Sequence, residues 1–171
     1  MNDAVCPLFG ELRPSSAPEL HRAQALGLAL QLAATSPAHR GLPLAEFTAL
    51  ARSAWQVGQF KTYVNPSGEC LGYVVWAMLT PDVEGEYIAG APRPLADWEF
   101  NDGTSAFVLD FAVAPGLLRR VMQELRDVVF KEHEHVTYYR IKGVQRLCKR
   151  ISRTDRTTFM AAGRGTGEVA Q

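Results

Sequence analysis

Six residues, Thr35-Ser36-Pro37-Ala38-His39-Arg40, set a hydroxyl, an imidazole and a guanidinium side by side. An unperturbed imidazole titrates near pH ~6.5, so His39 is a candidate general base, with a structural histidine as the plain alternative. Asp110 is the second candidate. It stands inside the apolar run Phe107-Val108-Leu109-Asp110-Phe111-Ala112-Val113, where a carboxylate must be paired or bear a heavy desolvation cost. It either binds main-chain N–H groups at a strand end or orients His39, holding one tautomer and favouring the imidazolium. Ser36 is a nucleophile, a hydrogen-bond donor or a helix C-terminal cap. Tyr73 either donates to a developing oxyanion or belongs to the core. His133 and His135 lie two apart with no third ligand in view and read as surface residues, so no metal is expected. Gly163-Arg164-Gly165-Thr166-Gly167 lacks the flanking strand and helix of a phosphate loop.

Presenting these groups together needs particular elements. Residues 1–15 read as a loose arm, 16–160 as one domain and 161–171 as a frayed tail. Ser16, Pro18 and Glu19 look like a helix start. Leu20, Ala23, Leu26, Gly27, Leu30 and Ala34 then recur at helical spacing. Pro37 fixes its own φ and pushes Ser36 out of the helical region, so the helix ends there. Leu44, Phe47, Leu50, Ala51, Ala54 and Val57 mark a second helix, stopped at Gly58. Phe60 to Val64 and Glu69 to Leu79 read as a hairpin around Asn65-Pro66-Ser67-Gly68. The second strand is apolar on both faces and so should be central. Residues 82–104 read as an irregular connection with a short strand near Glu86 to Ile88. Ala106 to Val113 is a buried strand. A helix follows, with Leu117, Leu118, Val121, Leu125, Val128 and Val129 on one face, then a strand from His135 to Ile141. The expected fold class is α/β (α+β), a mixed, mainly antiparallel central sheet flanked by helices.

The 171 residues carry no formal net charge, which argues against nucleic-acid binding, and a 47% hydrophobic fraction suffices for a core. Charge is unevenly spread. Eleven basic and five acidic residues fall between Arg119 and Arg156, a local balance of +6. Cys6, Cys70 and Cys148 form no disulfide framework or zinc spacing. No run reaches the ~18 apolar residues of a membrane span, so a cytoplasmic location is expected.

Four segments in register resemble a known family, the RTX toxin-activating lysine acyltransferases. They are Ser36-Pro37-Ala38-His39-Arg40, Gly58-Gln59-Phe60, Gly72-Tyr73-Val74-Val75-Trp76-Ala77, and Asp97-Trp98 followed by Val108 to Pro115. The match departs where the proline after Asp110 falls one residue late and where Gly72 replaces an alanine. The resemblance implies a GNAT-like fold and transfer of a fatty acyl group from acyl carrier protein to lysine side chains of a protoxin or another protein. It maps catalytic roles onto His39, Asp110, Ser36 and Tyr73. No bound cofactor is implied, since acyl-ACP is the donor and Ala114-Pro115-Gly116-Leu117-Leu118 stands where an acetyl-CoA loop would be. Acyl carrier proteins are acidic, so Arg119, Arg120, Arg126, Lys142, Arg146, Lys149 and Arg150 form the expected dock. Arg40, Arg119 and Arg120 are the substrate-binding candidates, and a homodimer is possible. The rival readings are a CoA-dependent small-molecule N-acyltransferase and a non-catalytic binding module on the same fold.

Overall fold

The computed structural model describes residues 13–15, 22–39, 41–142 and 145–154. Among the described residues, six strands form one sheet in the order β1-β2-β3-β4-β5-β6. They are β1 (Arg13–Ser15), β2 (Phe60–Val64), β3 (Cys70–Leu79), β4 (Ser105–Val113), β5 (His135–Lys142) and β6 (Gln145–Ser152). All neighbours are antiparallel except β4 and β5. That parallel pair needs a crossover. It is supplied by α4 (Leu118–Glu124) running into a π-helical turn, Leu125–Val129. The sheet is thus mixed and mainly antiparallel, as expected. β3 lies inside it, with Leu71, Tyr73, Val74, Val75, Ala77 and Leu79 all buried.

Two cores form, one on each face. On the first, α1 (Arg22–Thr35) and α2 (Leu44–Gln56) cover Tyr73, Val75, Ala77 and Phe107. On the second, Val121, Leu125 and Phe130 cover Tyr63, Val74, Val136 and Ile151. The residues that α1 buries are Ala25, Ala29 and Ala33, not the expected stripe. Small side chains at i, i+4 and i+8 let the helix approach β3 closely, while Leu26 and Leu30 pack along its flanks. Leu44 is 65% exposed and Leu118 54%, against expectation. Val128 is exposed because the π turn shifts the helical phase. The Phe130 N–H donates to the Leu125 carbonyl at 2.7 Å, five residues back, and Phe130 takes the inward place.

Two further expectations change, and one strand appears that the sequence reading did not assign. Pro81–Ile88 is a helix, α3, not a loop with a strand. Thr80 caps it by accepting from the Val83 N–H, Pro81 opens it, and Asp82 and Glu84 fill its first turn. Residues 13–15 of the expected arm pair with β2. Gln145–Ser152, which has no clear sequence pattern, is a full strand against β5. Ser16 to His21 and the glycine-rich 163–167 lie outside the described residues.

Candidate functional site

Pro37–His39 forms a single 3-10 turn at the end of α1. The Ser36 carbonyl accepts from the His39 N–H at 3.1 Å and the His39 carbonyl from the Leu42 N–H at 3.0 Å. The chain therefore reverses tightly around His39 before α2 begins. His39 Nε2 lies 2.7 Å from Asp110 Oδ1. The Tyr73 hydroxyl lies 3.0 Å from the same nitrogen and donates to Asp110 Oδ2 at 2.9 Å. Residues 39, 73 and 110, far apart in the chain, meet in one triangle. Asp110 Oδ1 also accepts from the Phe111 N–H at 2.8 Å.

Asp110 reaches this place because β4 carries a β-bulge. Val75 pairs with Asp110, and Trp76 pairs with Val108, so Leu109 has no partner. Regular alternation would put Asp110 on the face of Ala106 and Val108, which pack into the second core. The extra residue turns it to the face of Tyr73 and Val75. Nothing in the apolar run Phe107 to Val113 signals that shift, and sequence reading missed it. It also missed Phe47 and Phe60, whose rings lie 5.5 Å and 6.4 Å from that of Tyr73 and fix its angle. Their aromatic character in amphipathic elements was visible, but their partner was not.

The electrostatics follow from this contact. The hydrogen bond that His39 donates to the Asp110 carboxylate raises the His39 pKa above its ordinary value, against the lowering effect of burial. Burial, with help from Asp110, raises that of Tyr73, so its hydroxyl keeps its proton. That proton is committed to the carboxylate, which makes Tyr73 a group that positions Asp110. His39 Nδ1 is buried and has no hydrogen-bond partner among the described residues. In the neutral imidazole, an Nε2–H donated to Asp110 leaves the free lone pair on Nδ1.

The other candidates fall elsewhere. Ser36 shapes the turn through its main chain, and its hydroxyl makes no hydrogen bond to His39, Tyr73 or Asp110. Arg40 lies outside the described residues. Arg119 and Arg120 are exposed at the start of α4. His133 is half-buried, with its pKa lowered mainly by burial, and His135 is exposed. Among the described residues no His, Cys, Asp and Glu cluster is arranged to hold a metal ion, and no helix is long and apolar enough to cross a membrane.

The turn after α1 and the bulged strand β4 thus bring an imidazole and a carboxylate into contact on one side of a mixed sheet. The sequence matches the RTX toxin acyltransferase family over residues 19–156, and the chain belongs to that family. It is an acyltransferase. The lysine-acyltransferase RtxC of Vibrio cholerae serotype O1 (strain ATCC 39315 / El Tor Inaba N16961) is 25% identical over 107 residues, covering 63% of this chain and 69% of that protein. A crystal structure of a GNAT-family acetyltransferase from Listeria monocytogenes 4b F2365 superposes with a TM-score of 0.48 at 9% identity, covering 79% of this chain and 80% of that one.

Proposed function

We propose that this acyltransferase moves a fatty acyl group from acyl carrier protein to lysine side chains of a protein substrate, an RTX protoxin, in the cytoplasm. The observation that carries the reading is the 2.7 Å contact between His39 Nε2 and Asp110 Oδ1. A lysine ammonium has no lone pair and must lose a proton before it can attack a thioester. In the proposed sequence the ammonium first gives one proton to solvent; the amine then attacks the thioester carbon, and the adduct nitrogen passes its next proton to His39 Nδ1. The tetrahedral adduct then expels the carrier thiolate, which recovers a proton from the imidazolium. Asp110 stabilises that imidazolium, and Tyr73 holds Asp110 in place. Nδ1 is buried, so substrate entry must uncover it.

A general base contributes ~10²–10⁴-fold to such a step. Purified enzyme, acyl-loaded carrier protein and a lysine-bearing protein substrate test the assignment by intact-mass detection of acylated lysine. His39→Ala is expected to lose activity within that range, and full acylation by the variant would overturn the role. Efficient turnover of free acyl-CoA on small amines, with none from the carrier protein, would favour the small-molecule rival. An acyl-enzyme trapped in the absence of acceptor would replace direct transfer with a covalent route through Ser36 or His39.

A further inference from the structure

The basic residues after Arg119 do not make one surface, and strand register sorts them. β5 and β6 pair Arg140 with Leu147, Tyr138 with Lys149 and Thr137 with Arg150. Paired side chains share a face. Val136, Tyr138 and Ile151 pack into the core beneath α4, so Arg140, Leu147 and Lys149 lie on the α4 face. Arg150 lies on the opposite face with Thr137, and it lines a cleft with Glu84, Glu132 and Glu134. Arg126 is held by Asp127 at 2.6 Å, and the side chains of Lys142 and Arg146 lie outside the described residues.

Four exposed cations lie on the α4 side of the sheet: Arg119 and Arg120 on the helix, Arg140 and Lys149 on the strands. None of them forms an ion pair among the described residues. Two acids of the same helical segment are engaged elsewhere. Glu124 takes Lys61 and the Tyr63 hydroxyl, and Asp127 takes Arg126. Arg119 and Arg120 also occupy the first turn of α4, which holds no acid, where a positive charge opposes the helix dipole. Leu118 and Leu147 are exposed on the same face, 54% and 39%. Unpaired cations and exposed leucines on one side of the sheet suit an acidic protein partner.

We propose that this face, built from Arg119, Arg120, Arg140, Lys149, Leu118 and Leu147, docks the acidic protein that carries the acyl group. This rests on the donor reading above. The His39 turn belongs to the α1–α2 face, so the acceptor has that side and the donor the other. β4 and β5 pair only from Ala106 to Val108, and Asp110 lies past the last pair, so in this proposal the acyl chain passes between the two strands there to reach His39.

The test compares the double variant Arg140→Glu/Lys149→Glu with Arg150→Glu in the acyl-carrier assay, across salt concentrations. The double variant is expected to raise KM for the carrier at least tenfold, keep kcat within about twofold, and flatten the salt dependence of KM. Arg150→Glu should leave all three unchanged. Arg120→Glu should raise KM and also raise the melting temperature, because it removes a cation from the positive end of α4. Circular dichroism checks that the variants fold. An unchanged carrier KM in a folded double variant, or an equal rise in Arg150→Glu, overturns the proposal. So does a KM effect on the acceptor protein alone, or salt-sensitive binding of anionic vesicles or duplex DNA that only the double variant loses. If the parent enzyme uses acyl-CoA and not the carrier, the donor reading itself fails, which is a different result from a carrier-dependent parent with an insensitive dock.

Discussion

At the scale of single residues, the His39–Asp110 contact has a definite pH signature. Asp110 raises the His39 pKa while burial lowers it, so the base form accumulates only above the ordinary imidazole value. Activity should rise with pH through an apparent pKa above ~6.5. In Asp110→Asn the lowering effect of burial remains and the raising one is lost. The acidic limb of the kcat/KM profile should therefore move to lower pH while the plateau falls, and an unmoved limb would remove Asp110 from the role. Stability follows the same sign. A raised folded pKa contributes stability that is complete below the unfolded value and is lost as pH rises through the folded one. Urea unfolding should then show Asp110→Asn destabilised more at pH 6 than at pH 9. Tyr73→Phe keeps the ring against Phe47 and Phe60 and removes the hydroxyl that donates to Asp110 and meets His39 Nε2. Hydrogen bonds to charged groups contribute ~1.5–3 kcal/mol, so a plateau loss of roughly ten- to hundredfold is expected with the KM for acceptor little changed.

At the scale of elements, legibility followed the strength of local signals. The Ser36-Pro37 break, the hairpin turn and the β4–α4–β5 crossover are written in proline, glycine and apolar runs, and they stand in the structure. α3 was hidden because its helix signals, Thr80, Pro81 and two early acids, sit in a stretch rich in Pro and Gly. The inward face of α1 was misplaced because leucines outweigh alanines in hydrophobicity, whereas close approach selects for small size. The triangle of His39, Tyr73 and Asp110 was legible as residue types and through family resemblance. Its geometry depends on the unpaired Leu109, which leaves no mark in an uninterrupted apolar run. The α1 correction carries its own prediction. Ala29 is fully buried against the sheet, so Ala29→Leu should cost about 1–3 kcal/mol by overpacking. α1 leads directly into the His39 turn, so acyl transfer should fall further than Leu30→Ala makes it fall, as measured by unfolding and initial rates together.

At the scale of the whole molecule, one sheet separates two cores that do different work. The α1–α2 face holds the imidazole–carboxylate pair. The α4 face is fastened by Glu124, whose carboxylate takes the Lys61 ammonium and the buried Tyr63 hydroxyl. Glu124→Gln keeps the shape but leaves a half-buried ammonium without its counter-charge. Loss of a charged hydrogen bond and ion pair at such a site should cost about 2 kcal/mol. Glu124 contacts nothing in the His39 triangle, so the loss should appear in stability and leave the pH profile of catalysis in place. Sites that share no partners add in their effects within about 0.5 kcal/mol. The double variant Ala29→Leu/Glu124→Gln should therefore unfold with the sum of the two single losses, because one residue packs on each side of the sheet. A coupling well beyond that margin in urea titrations would mean that β3 transmits strain from one face to the other, and the division of labour between the faces would not hold.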